Sequence, residues 1–378
     1  MKITIDKETL VNALELIAPI TDKSSSKPIL SNFLLKAVAG TKQEPSHIEF
    51  SATDYEISVT GTFPAEVSEE GTVCISAKRS LEISREFLTD QVAITTDAQM
   101  WATIAETHGG TRLRLPSVDI GLYPQMERTE LPNVFKMNCK ELKRCIELTK
   151  FATQTNETRK NLTGVCIRIG EGDAKFVATD GHRLAQVIKP VQVVKAKQPP
   201  EIIVPRRALE ESEKVLSRAE GDVEIAFDER TLVLTAGSIV LMTRLVEGKF
   251  PNVDPVIPRD SDKIVKSNRE RMINALRKVS VMSSDKIKPV KLSLTSDQVH
   301  LETERAEYGD VEDKFPAEYE GEDFQIGFNA RYLQDVLTVA NHGDMIELHL
   351  KGALNPCLIK VPGDSTFLSV VMPLRIEW

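Results

Sequence analysis

The hydrophobic and polar positions of this 378-residue chain follow one pattern that occurs three times. In the clearest copy, an apolar run that ends at Ala178 is followed by Thr179–Gly181, and alternation resumes from Leu184 to Ile188. Asp and Gly within that short segment favour a tight turn. We therefore expect a β-hairpin that carries His182 and Arg183 at its turn.

Related segments surround Thr53 and, in a weaker form, Glu302 to Tyr308. The threonines Thr53, Thr179 and Thr303 are spaced by nearly one third of the 378 residues. A repeat of that length has the size of an ordinary domain rather than of a solenoid unit. The sequence therefore predicts three similar domains, at residues 1–125, 126–255 and 256–378.

Helical periodicity predicts two short amphipathic helices in each domain. Residues that favour helix N-termini precede the apolar stripes, and Ser267 with Glu270 matches a capping box. The first helices are predicted to begin at Asp6, Asn138 and Ser267, and the second helices at Ser76, near Pro205 and at Asn329. Proline-rich linkers are expected at residues 115–133 and 248–258, so each domain runs helix, strands, helix, strands.

The composition is that of a water-soluble globular protein, with 41% hydrophobic and 28% charged residues. The chain contains no run of 18 apolar residues and begins without the apolar region of a signal peptide, so we expect a cytoplasmic protein without a membrane span. The five cysteines form no close pair and are expected to be buried thiols in a reducing compartment. They are Cys74, Cys139, Cys145, Cys166 and Cys357.

The distribution of charge changes this picture. The net charge of −8 by itself argues against a nucleic-acid partner. The six predicted helices nevertheless carry a net positive charge together, so the strands and loops are strongly negative. Lys and Arg are good helix formers, but so is Glu, and helix propensity alone does not explain the bias. The pattern favours helices that face a polyanion such as a phosphate backbone.

Seven segments along the whole chain carry a resemblance to a known family. They are MKITIDKETL at the N-terminus, KPILSNFLL from Lys27, ATDYEIS from Ala52, ATDGHRLA from Ala178, GKFPNVDPVIP from Gly248, FNARYLQDVL from Phe328 and VVMPLRI from Val370. In this order they resemble the bacterial DNA polymerase III beta subunit, the sliding-clamp family. The resemblance implies the DNA clamp fold of the α+β class, with three similar domains per chain and two helices per domain packed on antiparallel sheets.

The resemblance also implies an assembly and a function. Two subunits would join head to tail into a ring with helices inside and sheets outside, through contact of residues 108–113 with residues 275–282. The ring would encircle double-stranded DNA without sequence preference, as a processivity factor that tethers the replicative polymerase. Implied partners are a second copy, the DNA polymerase III catalytic subunit, clamp loader subunits, other polymerases and repair proteins, with no membrane, cofactor or metal. The protein would be a non-catalytic subunit in the cytoplasm, associated with the nucleoid.

Two sets of site residues follow from the resemblance. The DNA-binding residues would be Arg159 and Lys160 on a loop, and Arg85, Lys143, Arg206, Arg207 and Arg269 on helices. A groove for partner peptides would be formed by Leu162, Thr179, Gly181, His182, Arg183, Leu184, Pro251, Val256, Asn329, Tyr332, Val370, Met372, Pro373, Leu374 and Arg375. In this groove, His182, Arg183 and Arg375 are expected to fix polar groups of the peptide.

The chain departs from the family pattern at a few positions. Glu377 and Trp378 extend it beyond the usual end, and Pro255 and Ile287 replace a basic and an aromatic residue of some members. Asn161 lacks the aromatic character often found beside the residue that matches Lys160. Peptide preference and the details of the DNA loop are therefore open at this point.

Two other classes of function compete with the clamp interpretation. An enzyme is disfavoured because the chain has no Gly-x-Ser-x-Gly, Walker A or Gly-x-Gly-x-x-Gly motif, and its six histidines are scattered. An interaction scaffold that never encircles DNA would share the groove but would not require inward-facing basic helices. Retention on circular but not on linear DNA separates a clamp from such a scaffold.

Overall fold

The computed structural model describes residues 1–21, 27–124, 130–197, 201–281, 287–303 and 309–375. These residues form two compact units. The first comprises Met1–Lys143, Gln192–Gln198 and Arg207–Leu245, and the second comprises Arg144–Val191, Pro199–Arg206 and Val246–Trp378. None of the helices in the described ranges combines the length and apolar character that a bilayer crossing requires.

The elements alternate between single helices and groups of strands. Up to the first linker they are β1 (Lys2–Asp6), α1 (Lys7–Ile17), β2 (Asn32–Val38), β3 (His47–Thr53), β4 (Ile57–Pro64), β5 (Glu66–Glu69), β6 (Gly71–Ser76), α2 (Ala77–Glu86), β7 (Gln91–Thr96), β8 (Trp101–Glu106) and β9 (Arg112–Pro116). The middle of the chain contains β10 (Asn133–Asn138), α3 (Cys139–Lys150), β11 (Gly164–Ile169), β12 (Asp173–Thr179), β13 (Arg183–Pro190), β14 (Gln192–Lys195), β15 (Glu201–Pro205), α4 (Arg206–Leu216), β16 (Asp222–Phe227), β17 (Thr231–Ala236) and β18 (Ile239–Arg244). The last third contains β19 (Lys263–Asn268), α5 (Arg269–Ser280), β20 (Pro289–Leu294), β21 (Gln298–Glu302), β22 (Glu312–Tyr319), β23 (Phe324–Asn329), α6 (Ala330–Val339), β24 (Met345–Leu350), β25 (Cys357–Lys360) and β26 (Phe367–Val371).

The first unit contains two antiparallel sheets. One has five strands in the order β5-β1-β7-β8-β9, and the other has nine strands in the order β14-β10-β16-β17-β18-β4-β3-β2-β6. In the larger sheet, β18 of the second repeat pairs with β4 of the first, from Ile239↔Gly61 to Thr243↔Ile57. Main-chain hydrogen bonds therefore continue from one repeat into the next.

The second unit contains one antiparallel sheet of twelve strands. Their order is β15-β11-β12-β13-β26-β25-β24-β19-β22-β21-β20-β23. Here the joint between repeats is the pairing of β13 with β26, from Arg183↔Val371 to Val187↔Phe367. The last strand of the chain thus lies beside the strand that leaves the predicted hairpin.

The positions of the helix starts bear out most of the sequence prediction. Each of the six helices within the described residues directly follows a strand, and the side chains of Asp6, Ser76 and Asn329 each accept a hydrogen bond from a backbone N–H in the first turn. Two starts differ by one residue. Asn268, not Ser267, caps α5, because the Ser267 side chain is buried and donates to the Pro316 carbonyl at 2.7 Å. Likewise, Pro205 ends β15, and α4 begins one residue later.

The hairpin threonines share a main-chain contact that explains their recurrence. The Thr53 hydroxyl donates to the Ile57 carbonyl at 2.9 Å, and the Thr179 hydroxyl donates to the Arg183 carbonyl at 2.7 Å. In the third repeat, the Thr303 hydroxyl is 3.4 Å from the Val311 carbonyl, and residues 304–308 of that predicted hairpin lie outside the described residues. A buried hydroxyl therefore closes the first two hairpins and lies at the corresponding place in the third.

All five cysteines are buried thiols, as the sequence predicts. Burial raises the pKa of the Cys74 thiol to about 12 and that of the Cys166 thiol to about 12. The thiolate is the reactive form, and a raised pKa keeps both groups protonated near neutral pH.

We therefore expect Cys74 and Cys166 to resist iodoacetamide in the native protein near pH 8, roughly half a unit below the usual thiol pKa. In guanidinium chloride, both side chains become exposed and should react within minutes. Mass spectrometry of peptides from native and unfolded samples measures the difference. Rapid labelling of either residue in the native state would contradict the burial described above.

Candidate functional site

The predicted hairpin is formed by β12 and β13, which pair from Asp173↔Pro190 to Thr179↔Leu184. Its turn is held by Asp180, whose Oδ1 atom accepts the backbone N–H groups of His182 at 2.9 Å and Arg183 at 3.0 Å. Gly181 has a φ of 91°, a conformation that favours glycine. The ATDGHRLA segment therefore encodes the turn itself, and the hairpin prediction is confirmed.

The C-terminal tail is fixed between this hairpin and the third repeat. The Met372 N–H donates to the His182 carbonyl at 2.8 Å, and the Leu374 N–H donates to the Gly327 carbonyl at 2.8 Å. The tail is thus bonded both to the hairpin and to the third repeat. The predicted groove residues of the tail are therefore positioned by main-chain contacts that do not depend on their side chains.

A buried apolar cluster lies beneath the hairpin and the tail. Three of the predicted groove residues, Leu162, Leu184 and Val370, belong to it and are at most 4% exposed. The other members are Cys166, Val177, Ile203, Phe250, Val253 and Leu358. The cluster is thus the buried floor of the predicted groove. Leu162, Leu184 and Val370 contribute more to packing than to the exposed surface.

Above this floor, apolar side chains reach the surface. Met372 is 37% exposed and Val256 is 46% exposed, although both are large hydrophobic residues. Both side chains line a cavity of about 640 Å³, together with Pro255, Ile257 and Pro356. Charged side chains at its edge include Lys351, which forms an ion pair with Asp260. An apolar recess with a charged edge suits an apolar side chain within a peptide.

Helix α6 contributes a second wall. Tyr332 is half-buried and stacks on His182, with ring centroids 6.2 Å apart and an angle of 19° between the planes. Burial raises the pKa of Tyr332. Asn329 is buried and caps α6 by accepting the Arg331 N–H at 3.0 Å, so its role is to position the helix. Pro251 and Arg375 are exposed, and Pro373 is half-buried between Met372 and Leu374.

Arg183 differs from the sequence expectation. Its guanidinium group was expected to fix polar groups of a peptide, but it is only 10% exposed and is held by protein acceptors. One of these acceptors is Asp335 on α6, and another is the carbonyl of Phe151. Neither Asp335 nor Phe151 could be identified from the sequence, because neither lies near the hairpin along the chain.

The predicted DNA-binding residues do not all have the same environment. Arg159 and Lys160 are exposed on a 3-10 turn, Glu157–Leu162, that precedes the hairpin. Arg85 and Arg207 are exposed on α2 and α4 and form ion pairs with Glu15 and Asp54. Lys143 and Arg206 are half-buried, on α3 and at the start of α4.

Arg269 is bound to another helix, whereas a residue that contacts DNA needs an exposed side chain. Its side chain is 13% exposed and donates to the Leu337 carbonyl at 3.0 Å, near the C-terminal end of α6. Arg144, which the sequence did not single out, donates to the Val339 carbonyl of the same helix at 2.7 Å. Two arginines thus satisfy the carbonyl groups and complement the dipole at this helix end.

The positions where the chain departs from the family pattern can be placed as well. Ile287 is 55% exposed, and Pro255 lies at the cavity edge. The Asn161 side chain donates to the Lys249 carbonyl at 2.9 Å and so binds the linker. Glu377 and Trp378 lie outside the described residues.

One group within the described ranges has the composition of a metal site. The side chains of His300, Glu302 and Glu312 bring ligand atoms within 4.8 Å of one another. However, the imidazole uses its two nitrogens on different carboxylates, Nδ1 at 3.4 Å from Glu302 and Nε2 at 3.3 Å from Glu312. Lys291 also pairs with Glu302. The three side chains thus contact one another directly, and their proximity needs no bound ion to explain it.

Comparison with known proteins gives a consistent family assignment. Models of the N-terminal, central and C-terminal domains of the DNA polymerase III beta subunit match residues 1–127, 136–252 and 254–375. The beta sliding clamp of Caulobacter vibrioides is 31% identical over the full length of both chains. That of Pseudomonas putida is 29% identical, again over the full length of both.

Solved structures agree with this assignment. A DnaN sliding clamp from Bartonella birtlesii, solved bound to griselimycin, has a TM-score of 0.92 and 30% identity, with full coverage of both chains. The predicted family, the α+β fold with three clamp domains, and the function as a processivity clamp are thereby confirmed. The chain belongs to the DNA polymerase III beta subunit family, the non-catalytic sliding clamps that associate with DNA, with the polymerase and with themselves.

Proposed function

We propose that two copies of this chain join head to tail into a ring that encircles double-stranded DNA. Such a ring stays on DNA because it is closed, so its contacts with the duplex can be weak and water-bridged, which permits sliding. The exposed cations Arg159, Lys160, Arg85 and Arg207 support this proposal, because they provide attraction to phosphate without base contacts. In this proposal, Lys143 and Arg206 also contribute positive charge, and Arg269 acts mainly through α6.

We also propose that the surface around Met372 binds short peptides of partner proteins. The observation that carries this proposal is the exposure of Met372 and Val256 above a buried floor that includes Leu184. Flexible methionine side chains adapt to different apolar partners, which suits one groove with several clients. The clients would be the DNA polymerase III catalytic subunit, clamp loader subunits, other polymerases and repair proteins.

The three domains of the clamp are proposed to comprise residues 1–125, 126–255 and 256–378. The first boundary follows the 3-10 turn Ile120–Leu122, and the second lies within the turn Asp254–Val256. The protein would work in the cytoplasm on the nucleoid. Ring opening requires energy, and because we identify no nucleotide-binding motif in the sequence, a separate ATP-dependent loader would supply it.

Retention on circular DNA tests the proposed ring. We expect protein loaded by the clamp loader with ATP to elute with a nicked circular plasmid in gel filtration and to dissociate once a restriction enzyme cuts the plasmid. Uncut plasmid in the same buffer is the control, and moderate salt suppresses non-specific phosphate contacts. Equal retention on circular and linear plasmid would contradict encirclement and would favour a scaffold that never surrounds DNA.

A further inference from the structure

Arg183 makes five contacts with protein groups at the proposed peptide groove. Its Nε atom donates to Asp180 at 3.0 Å, one terminal nitrogen donates to Asp335, and the other donates to the Phe151 carbonyl at 2.7 Å. Its guanidinium carbon also lies 4.6 Å from the ring centroid of Tyr332 and 5.4 Å from that of Phe151. The hairpin, helix α6 and the segment after α3 therefore meet at one cation.

These contacts use most of the hydrogen-bonding capacity of Arg183 within the protein. A guanidinium group has five N–H donors in a rigid plane, and three of them, one on each nitrogen, bind acceptors from three separate segments. The side chain is 10% exposed, and a largely buried cation is stable only while its acceptors remain in place. A peptide that displaced Asp335 or the Phe151 carbonyl would leave a buried group without a partner.

The same contacts determine where the groove walls lie. Asp335 and Tyr332 are three residues apart on α6 and therefore share one face of the helix. Arg183 pairs with the first and stacks on the second, while its neighbour His182 stacks on Tyr332 and accepts the Met372 N–H through its carbonyl. A change at Asp335 would thus reach both the aromatic wall and the tail without involving a residue that lines the groove.

We propose that Arg183 is a positioning residue that does not contact the peptide, and that Asp335 and Phe151 are its anchors. The Arg183–Asp335 ion pair fixes the hairpin against α6 and so sets the distance between His182, Tyr332 and Met372. This inference rests on the proposed function of the groove as a peptide site. It adds Asp335, which lies three residues after Tyr332 on α6, to the residues that determine peptide affinity.

Replacement of the anchor tests the proposal. With a fluorescein-labelled peptide from the DNA polymerase III catalytic subunit and fluorescence anisotropy, we expect Asp335→Asn and Arg183→Lys each to weaken binding about tenfold. The double variant should be no weaker than the weaker single variant, because both changes break one ion pair. Asp335→Glu retains a carboxylate and should restore most of the affinity. Asp344→Asn removes an exposed carboxylate elsewhere in the third repeat and is the matched control.

The outcomes separate a positioning role from a direct contact. If Arg183 contacts the peptide, Asp335→Asn frees the guanidinium group and leaves peptide affinity unchanged or improves it. In that case Arg183→Lys still weakens peptide binding. This pair of results overturns the inference. If the ion pair serves only stability, the variants melt earlier in circular dichroism but bind normally well below the melting temperature, which also overturns it. If the wild-type protein does not bind the peptide, the proposed function of the groove is wrong. If Met372→Ala loses peptide binding but the Arg183 and Asp335 variants do not, only the proposed role of Arg183 is wrong.

Discussion

Replacement of Met372 and Leu374 together by alanine is expected to lower the affinity for the polymerase peptide about 100-fold. Truncation of an apolar anchor residue at an interface costs about 1.4 kcal/mol or more, which is tenfold in affinity, and two such losses correspond to about two orders of magnitude. Met372 is already 37% exposed, so its truncation leaves no internal cavity, and the tail is held by backbone bonds that alanine retains. The folded chain and its self-association should therefore persist.

Anisotropy titration measures the affinity of this double variant, and sedimentation velocity measures its mass. Met345 provides a matched control because it is exposed to 38%, close to the value for Met372, but lies at the start of β24 and outside the predicted groove. Met345→Ala should bind the peptide as the wild type does. Unchanged affinity in the double variant would exclude the tail as part of the peptide site.

Arg114→Pro is expected to separate the two subunits. Strand β9 forms an edge of the five-stranded sheet and is paired only with β8 among the described strands. Two main-chain hydrogen bonds show which residues of β8 and β9 are bonded to each other. The Glu106 N–H donates to the Thr111 carbonyl, and the Ser117 N–H donates to the Met100 carbonyl. In that register, the N–H of Arg114 points away from β8 and is available to a strand of a second copy. Proline removes this donor but leaves the pairing with β8 intact.

Sedimentation equilibrium measures the dimer, and we expect its dissociation constant to rise at least about tenfold, in line with the loss of a main-chain bond at an interface. Arg114→Ala is the control, because it also removes the ion pair with Asp97 and the contact with Trp101 but retains the N–H. A dimer that is equally stable in both variants would show that the subunits join elsewhere. Val281, which is 78% exposed at the end of α5, marks the third-domain side of the expected contact, and Met282 lies outside the described residues.

Short-range features of this fold could be predicted from the sequence because their causes are local. Asp6, Ser76 and Asn329 cap helices with their own side chains, and Asp180 with Gly181 forms a turn with its immediate neighbours. The error at α5 has a different origin, because the contact that decides it is not local. Ser267 and Asn268 both favour a helix start, and only the burial of Ser267 against Pro316 decides between them.

Long-range features could not be predicted in this way. The roles of Arg183 and Arg269 depend on acceptors in α6, which lies far along the chain from both residues. The sequence therefore shows two cations but not the groups to which their side chains are bound. The resemblance gave the predicted groove residues as one set, but it did not separate the buried floor from the exposed surface. That distinction requires the burial of Leu162 and Leu184 and the exposure of Met372.

The pairing of β13 with β26 also has a consequence for synthesis on the ribosome. Strand β13 ends at Pro190, whereas its neighbour β26 begins at Phe367, so β13 leaves the exit tunnel long before its partner is translated. During that interval the nascent chain carries an unpaired strand edge, which is a site for aggregation. The central part of the protein therefore cannot complete its sheet until β26 has been synthesised, and a premature stop codon before residue 367 would leave a truncated product with that edge permanently open.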